Sequence, residues 1–534
     1  MQKLKKTWAI LLSMTMLFTL LAACGSSDKP AAEGNSGNTS SESASDVSKD
    51  GFPIVNEPIT LTMMGQDVGI QNWQDMAFFK EMEKKTNIKF EFRNAPADSF
   101  DTKRNLVFAS GDYPDVFFSG QLQASDEVNY GGQGVLIPLE GLIEEYAPNL
   151  KKILDENPDI RKSITTPDGH IYSLPNIDLD AGWYRGPLWY NGKFLKALDM
   201  EVPKTIDELY TYLKRVKEED PNGNGKQDEI PLASVKLDDL RMWLLGSWGI
   251  YNEVIYSDTQ DKVHYTPMEP GYKEYLTFLN KLWTEGLLDK ETFSQTDEQK
   301  KAKGKNNQIG LFSDYHAYFT LGGEPSMDDP MYRPVDSDVK AVAAKHPGLA
   351  KGAFAITNKN KHPEATMRWV DYLYSTEGAE LLSNGPEGIL WEYVNKDDHT
   401  KKWLDVPGGG DREEYRATLT PDYGVVVPKI TNEDTKRGFS GEFDAWLKKE
   451  TDEKILPIAK VPFPSVYLSQ DEQSEVSSIR SDLDTYVKQM EAKFVTGQEP
   501  LTNWDKYLET CKKMGGDRIV EIYQAAYDRW NTGN

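Results

Sequence analysis

The fold is decided by ITLTMMGQD at residues 59–67, DMAFFKEMEKKTNIKFEFRNA at residues 75–95 and KRNLVFASGDYPDVFFSG at residues 103–120. The first segment predicts a strand, and the second predicts a helix over 75–85 followed by a strand over 88–92. The third repeats the pattern, with a helix that ends near Gly111 and a short apolar strand over 115–118. Strands that alternate with helices are typical of an α/β sheet covered by helices.

The rest of the chain is long and contains several further predicted helices. About 480 residues follow the N-terminal region, which exceeds one ordinary core and favours two lobes. There is no internal repeat and no second long apolar run in the sequence. Further helices are predicted at residues 206–219, 272–285, 363–377, 475–494 and 518–530.

The N-terminus reads as an export signal. Three lysines precede an uncharged apolar run over 8–23, which is too short to span a bilayer comfortably and is typical of a signal peptide, here residues 1–23. The run ends in LAACG at 21–25, which resembles a bacterial lipobox and implies that Cys24 is diacylated and anchors the chain to the membrane. The alternative is an ordinary secretory signal with a chance cysteine. With the lipobox interpretation, residues 24–50 are the lipidated cysteine and a flexible tether, because this segment is rich in Ser, Gly and Asn and has no aromatic residue.

Composition excludes some partners. The formal net charge is −24, so nucleic acid is a poor partner, although a few placed cations could still bind an anionic ligand. Of the two cysteines, Cys24 is assigned to lipid, which leaves Cys511 without an intramolecular disulfide partner. We interpret Cys511 as a small apolar residue on a helix face.

A family resemblance rests on several motifs in order. They are NLVFASGDYPDVFF, LWYNGKFLKALDMEVPKTIDELYTYLKRVKEEDPNGNGKQDEIPL, KHPEATMRWVDYLYSTEG and NGPEGILWEY, followed by TNWDKYLETCKKMGG and YQAAYDRW. Together they resemble the family 1 extracellular solute-binding lipoproteins, in the subgroup that includes alginate-oligosaccharide-binding proteins. The resemblance covers nearly the whole mature chain. It implies a two-lobe periplasmic-binding-protein-like (type II) α/β fold, whose interlobe cleft closes on ligand.

The same resemblance implies a division of labour along the chain. Lobe one would comprise residues 51–175 plus 353–392, and lobe two residues 176–352 plus 393–534, with crossings near 173–189, 352–357 and 388–395. The expected function is that of a lipid-anchored component on the extracellular face of the cell membrane. The protein would act as a monomer. It would capture an oligosaccharide and deliver this ligand to the transmembrane subunits of an ABC permease.

One local motif predicts a structural calcium site. Counting Asp220 as position 1 of DPNGNGKQDE, side-chain oxygens fall at positions 1, 3, 5 and 9, and Gly225 stands at position 6, as in an EF-hand-type loop. Position 12 is a proline, so Glu229 at position 10 is the expected substitute for the usual acidic ligand. The alternative is a solvated Asn-Gly turn after a helix. The predicted ligands are Asp220, Asn222, Asn224, Lys226 through its backbone carbonyl, Asp228 and Glu229.

Candidate ligand contacts come from loops that follow predicted strands. A sugar offers flat, weakly apolar faces edged with hydroxyls, so its site needs aromatic rings, carboxylates and amides. Open α/β sheets bind ligands beyond the carboxyl ends of their strands. The arginine among the candidates would meet a carboxylate if the sugar were a uronate. The candidates are Gln66, Asp67, Trp73, Arg185, Trp243, Trp248, Asp314, Tyr315, Glu387 and Trp391.

Two other classes of function stay open at this point. A sensor for a membrane kinase or a peptide-binding protein would keep the binding fold and change the task. A surface glycan-active enzyme would need two placed carboxylates, and no motif commits to catalysis: GxSxG, HExxH and GxxxxGK[ST] are all absent from the sequence. We therefore expect no catalytic residues.

Overall fold

The structure, a computed structural model, describes residues 47–182, 186–439 and 441–532. The predicted signal peptide, Cys24, most of the predicted tether and Arg185 lie outside the described residues. The last residues of the predicted tether already pack on the body of the protein. Val47 forms a β-bridge with Val55, and Arg368 Nε donates to the Ser48 carbonyl at 3.2 Å. Residues 47–50, which the sequence assigns to the tether, therefore belong to the folded body of the protein.

A six-stranded sheet, the first sheet, organises one half of the folded body. Five strands are parallel, and one, Leu349–Ile356, is antiparallel to both neighbours. The Val116–Phe118 strand is completely buried, as expected for a parallel sheet covered on both faces. The carboxyl ends of the parallel strands meet at one edge, here called the first edge. In spatial order the strands are Lys429–Thr431, Leu174–Asp178, Leu349–Ile356, Val116–Phe118, Ile59–Met64 and Ile88–Phe92.

A three-stranded sheet, the second sheet, organises the other half. Its central strand Ile309–Ser313 is parallel to Ile230–Ala233 and antiparallel to Leu188–Tyr190. The carboxyl ends of the two parallel strands and the beginning of Leu188–Tyr190 meet at one edge, the second edge. The two-stranded pairs are Gln66–Asp67 with Ala95–Pro96, Ile255–Ser257 with Val263–Tyr265, Ala343–Ala344 with Ala459–Lys460, and Trp391–Asn395 with Thr400–Trp403.

Chain crossings connect the two edges. The chain leaves the first edge at Asp178 and enters the second sheet at Leu188, within the segment 173–189 where the sequence predicts a crossing. It returns between Ala343–Ala344 and the start of Leu349–Ile356, so the crossing predicted at 352–357 is wrong because those residues lie inside a strand. These short connections hold the first and second edges near one another.

The third predicted crossing, at 388–395, is also wrong. Trp391–Asn395 instead forms a hairpin with Thr400–Trp403. The chain crosses after Phe439, whose ring stacks on Trp403 with centroids 3.9 Å apart, and then enters the Glu442–Glu450 helix.

Each sheet has its own core. Buried residues around the first sheet include Leu61, Ile177 and Trp369, and a separate cluster around the second sheet includes Leu311 and Phe494. Val427 and Ile430 belong to the first core, although 393–534 was assigned to the second lobe. The strand Lys429–Thr431 is only three residues long, so it has no periodicity that would reveal its sheet.

Helices cover both sheets. Six predicted helices are confirmed, and the helix predicted at 363–377 is interrupted, because Tyr372–Tyr374 is a 3-10 turn and the Ser375 side chain caps a new helix. None of the described helices is long and apolar enough to cross a membrane. The α-helices are Ala77–Thr86, Phe100–Ser110, Ala124–Gly132, Glu140–Tyr146, Pro148–Glu156, Pro158–Ile164, Gly192–Ala197, Ile206–Glu218, Leu237–Leu244, Pro270–Thr284, Asp297–Lys305, Ala317–Leu321, Pro363–Asp371, Thr376–Asn384, Arg412–Leu419, Glu433–Lys436, Glu442–Glu450, Gln470–Thr496, Trp504–Lys513 and Gly516–Thr532.

Candidate ligand site between two sheet edges

An aromatic surface covers the second edge. It consists of Tyr315, His316, Tyr318, Phe443 and Trp446, and we call it the aromatic platform. The rings of His316 and Tyr318 are stacked with centroids 5.5 Å apart, and Phe443 meets His316 edge-on at 5.3 Å. Phe443 and Trp446 share one face of the Glu442–Glu450 helix because they are three residues apart.

The platform rests on a rigid base. Buried Trp189 lies beneath Trp446, with centroids 6.3 Å apart, and its Nε1 donates to the Asp314 carbonyl at 3.0 Å. The Asp314 carboxylate accepts hydrogen bonds from the Tyr315 amide at 2.7 Å and from Thr320 Oγ1 at 2.7 Å. These bonds fix the turn that follows the central strand and so fix the rings that the turn carries.

The crossing segment packs directly on this turn. A Cβ atom on Gly186 would lie 2.5 Å from the Asp314 carbonyl oxygen, so only glycine allows this approach. Trp243 Nε1 donates to the Gly186 carbonyl at 3.1 Å and holds the segment from the other side. Trp243 therefore supports the site from behind, with little of its own ring exposed.

His316 is the polar member of the platform. Its Nδ1 is buried and has no hydrogen-bond partner among the described residues. Burial lowers the pKa of His316, while the carboxylates of Asp444 and Asp314 act in the opposite direction. The lowered pKa keeps the imidazole neutral at pH 7.

A polar cavity of about 340 Å³ adjoins the platform. Asp444 lines it and stands next to Phe443 on the Glu442–Glu450 helix. The opposite wall comes from the first edge and the helix above it, with side chains of Ser383, Asn384 and Thr431. Aromatic rings on one side and hydroxyl, amide and carboxylate groups on the other suit a ligand with flat apolar faces and a hydroxyl rim.

A second cavity of about 280 Å³ is less suited to a polar ligand. Among its lining groups, Lys460 Nζ donates to the Ser257 carbonyl at 2.6 Å and Tyr527 donates to Asp261 at 2.7 Å. These polar atoms already bind protein, whereas the Asn384 and Thr431 side chains of the first cavity have no hydrogen bond within the described residues, so the cavity beside the platform is the better candidate.

Five of the predicted ligand residues lie at or against the two edges. Gln66 and Asp67 follow the first strand of the first sheet, where Gln66 Nε2 donates to the Ser119 carbonyl at 2.9 Å and Asp67 accepts from the Gly69 amide at 2.7 Å. Asp314 and Tyr315 lie at the second edge, and Trp243 lies behind it. Tyr315 is 56% exposed.

Four other predicted residues lie elsewhere. Trp73 is buried in the first core and stacks on Phe79, and Trp248 packs on Tyr275 in the second. The remaining two are Trp391, which is 3% exposed and donates through Nε1 to the Gly385 carbonyl at 2.8 Å, and Glu387, which pairs with Lys396 on the surface at 2.9 Å.

Most of the platform was missed from the sequence. Tyr318, Phe443 and Trp446 were not candidates, and His316 follows the same predicted strand as Asp314 and Tyr315 but is not among the predicted ligand residues. A usable signal was present in GEFDAWLKKE at 441–450, where two aromatic residues share one face of an otherwise polar helix.

The loop after the Ile206–Glu218 helix is folded inward. The Asp220 carboxylate accepts hydrogen bonds from the amides of Asn224 at 3.2 Å and Gly225 at 2.9 Å. Asn222 and Asn224 both donate to Asp228 Oδ1, at 3.2 Å and 3.0 Å, and these bonds lower the pKa of Asp228. Gly225 has a φ of +77°, the left-handed turn that position 6 requires.

Glu229 tests whether this loop fits a cation. Both of its carboxylate oxygens are buried without a hydrogen-bond partner in the described part of the chain. Burial raises the pKa of Glu229, and the nearby Asp220 carboxylate raises it further. Within the described ranges no three His, Cys, Asp or Glu side chains converge as a metal site, so amide and backbone oxygens would have to complete the ligand set. An unpartnered carboxylate beside a second one fits a hard cation.

The sequence of the chain is similar to a protein family and to individual carbohydrate-binding relatives. Residues 72–380 match the family model described as bacterial extracellular solute-binding protein. The chain is 29% identical to the fructooligosaccharide ABC transporter substrate-binding protein FusA of Streptococcus pneumoniae, over 97% of each chain. It is 24% identical to the polygalacturonan/rhamnogalacturonan-binding protein YtcQ of Bacillus subtilis, over 97% of this chain and 98% of YtcQ.

Solved structures show the same fold. S. pneumoniae FusA in complex with kestose superimposes with a TM-score of 0.72 at 27% identity, covering 89% of this chain and 100% of FusA. A further FusA structure, with the same TM-score, is described as an EF-hand mutant. The family match, which spans more than half of the residues, and this two-domain fold agree: the chain belongs to the family of bacterial extracellular solute-binding proteins.

Proposed function

We propose that this protein captures an oligosaccharide outside the cell and delivers it to the permease of an ABC importer. The observation that carries the proposal is the aromatic platform beside a cavity lined by Asn384, Thr431 and Asp444. Rings provide stacking surfaces for sugar faces, and the polar side chains bind hydroxyls. The carbohydrates bound by FusA and YtcQ support the same class of ligand.

Capture would use two lobes with revised boundaries. We propose residues 47–178 plus 349–439 as lobe one and 186–344 plus 441–532 as lobe two, because the sheets and cores divide there. Ligand bound at one edge would favour the closed arrangement in which both edges contact it. The closed form would then be the one that docks on the permease.

The anchor remains part of the proposal. Diacylated Cys24 would hold the protein on the outer face of the cell membrane, and the segment before Val47 would serve as the tether. No catalytic role is proposed.

We also propose a structural calcium site in the Asp220–Glu229 loop. Glu229 and Asp220 would supply carboxylate oxygens, and Asn222, Asn224 and Asp228 the other side-chain oxygens, with the Lys226 backbone carbonyl at position 7. Bound calcium would relieve the repulsion between the Glu229 and Asp220 carboxylates. The loop would then fix the end of the Ile206–Glu218 helix, away from the platform.

A thermal-shift screen tests the ligand class. The mature protein would be heated with neutral oligosaccharides, uronate oligosaccharides and short peptides. A true ligand at a hundredfold excess over its Kd contributes about 2.7 kcal/mol, which raises the midpoint clearly. Stabilisation by one glycan class supports the importer proposal. Stabilisation by peptides alone would contradict it and favour the peptide-binding alternative.

A further inference from the structure

The cations beside the cavity are already neutralised by protein carboxylates. Lys429 contacts the Asp422 carboxylate and donates to Ser383 Oγ at 2.7 Å. Lys436 Nζ lies 3.0 Å from the Asp180 carboxylate. An anionic ligand would therefore have to take a lysine away from its partner.

Lys301, beside the turn that carries the platform, is neutralised in the same way. Lys301 lies 2.6 Å from the Asp297 carboxylate and 4.0 Å from that of Asp314. His316 adds no positive charge at pH 7, because burial lowers its pKa. Neither side of the site presents a spare positive charge within the described residues.

Asp444 is the unbalanced charge of the cavity. Its Oδ2 accepts from the Gly441 amide at 2.9 Å, and no cation of the described ranges lies within ion-pair distance of it. Asn384 and Thr431 add neutral groups to the same wall, and the described part of the chain supplies no hydrogen bond to either side chain. The wall offers acceptors and neutral donors, with a surplus of negative charge.

We propose that this site selects uncharged oligosaccharides and rejects those that carry uronate carboxylates. The inference rests on the proposed function and names the ligand class of the same site. Sugar hydroxyls can donate to the Asp444 carboxylate in charge-assisted hydrogen bonds. A uronate carboxylate would face Asp444 with no free cation from the described residues beside it, and like charges brought together at a binding surface oppose association.

Calorimetric titration of the mature protein tests the proposal. The probes are neutral fructo-, gluco-, galacto-, manno- and xylo-oligosaccharides, and galacturonate and alginate oligosaccharides of matched length. We expect at least one neutral probe to bind, and every uronate probe to bind about tenfold more weakly or not at all. Added salt should strengthen any uronate binding, because it screens repulsion, and leave neutral binding unchanged.

Asp444→Asn isolates the charge. This variant should reduce the difference in affinity between neutral and uronate probes, because it removes the repulsion while keeping a hydrogen-bonding group. Glu442→Gln on the same helix is the matched control, since Glu442 is exposed and does not line the cavity. Glu442→Gln should leave this difference in affinity unchanged.

The outcomes separate the two proposals. A uronate probe that binds as tightly as the best neutral probe, with affinity that falls as salt is added, overturns the selectivity and leaves oligosaccharide capture standing. Loss of that uronate affinity in Arg185→Ala would identify the cation responsible. Binding of no saccharide in either set overturns both.

Discussion

Trp446 is the residue on which stacking depends most directly. It is half-buried on a polar helix, with Phe443 beside it and Trp189 below. We expect Trp446→Ala to weaken the binding of the best oligosaccharide ligand about two- to twelvefold, because an aromatic stacking contact contributes roughly 0.5–1.5 kcal/mol. Calorimetric titration measures this.

The matched control for that substitution is Trp283→Ala. Trp283 is also half-buried, but it packs on Phe293 at 5.4 Å, away from the platform. Its loss should leave the Kd unchanged. Equal affinity of Trp446→Ala and the wild-type protein would contradict the platform assignment.

Trp391 should behave in the opposite way. It is 3% exposed and packs with Leu390 and Leu419. Trp391→Ala should lower the free energy of unfolding by about 3–5 kcal/mol, the usual cost of truncating a buried large aromatic residue. Urea denaturation measures the loss, and the folded fraction should bind oligosaccharide with unchanged affinity. A variant that is as stable as the wild-type protein but binds oligosaccharide more weakly would show that Trp391 contacts the ligand.

The sequence alone does not distinguish tryptophans of the core from tryptophans that contact the ligand. Trp391 stands in NGPEGILWEY, where no periodicity separates a buried face from an exposed one. Asp314 could be predicted because it directly follows an apolar strand. Phe443 and Trp446 reach the site only because a distant part of the chain returns to the second edge, and such long-range contacts leave no local pattern.

At the scale of elements, the Asp220–Glu229 loop makes a direct prediction. Calcium should raise the thermal midpoint of the mature protein, and a chelator should reverse the shift, because Glu229 gains a partner only when a cation is bound. Glu229→Gln should abolish most of the calcium-dependent shift. Differential scanning fluorimetry with and without calcium measures it.

Gln227→Ala controls for general effects on this loop. Gln227 occupies position 8, is exposed and is not a predicted ligand. Its variant should keep the full calcium response. A midpoint that ignores calcium in the wild-type protein would favour the simple solvated turn.

Elements with strong periodicity were predictable, and short ones were not. The Ile206–Glu218 helix buries Leu209, Leu213 and Val216 on one face, and it was predicted to within a residue. Gly352 was expected at a crossing, yet a Cβ there would lie 2.1 Å from the Leu122 carbonyl oxygen. This glycine is required by close packing, which sequence alone does not distinguish from a bend.

At the scale of the whole molecule, one buried cluster joins the proposed lobes. Tyr467, at the approach to the Gln470–Thr496 helix, donates to Glu127 Oε2 at 2.6 Å. Lys351 Nζ lies 3.4 Å from the centroid of the Tyr467 ring and donates to the Ser465 carbonyl at 3.3 Å. Burial raises the pKa of Glu127 to about 7 and lowers the pKa of Lys351 to about 8.

These pKa values fix the sign of a pH dependence. The folded state holds a proton on Glu127 above the usual carboxyl value of 4.5, so stability from this group is present at low pH and is lost as pH rises toward 7. The lowered pKa of Lys351 acts only above about 8. Between pH 5 and 7 the wild-type protein should therefore lose stability relative to Glu127→Gln, which keeps an acceptor for Tyr467.

Thermal midpoints of both proteins across this range measure the difference. The midpoint of the wild-type protein should fall relative to that of Glu127→Gln as pH rises from 5 to 7. Parallel profiles would show that Glu127 does not titrate in this window.

The two-lobe architecture was predictable as a class, whereas its boundaries were not. Sequential motifs identified the family, and the alternation of strands and helices indicated an α/β fold. The lobes are interleaved, however, and Lys429–Thr431 pairs with Leu174–Asp178 across about 250 residues of sequence. Such pairings are fixed by the tertiary packing of both cores.

Hydrogen–deuterium exchange of the mature protein, with and without the best-binding oligosaccharide, tests the central claim most directly. If the ligand is held between the two edges, amides in Ala317–Leu321, Lys429–Thr431 and Glu442–Glu450 should exchange more slowly when it is bound. Protection confined to other segments, such as those around the cavity with Lys460 and Tyr527, would contradict this placement of the ligand site.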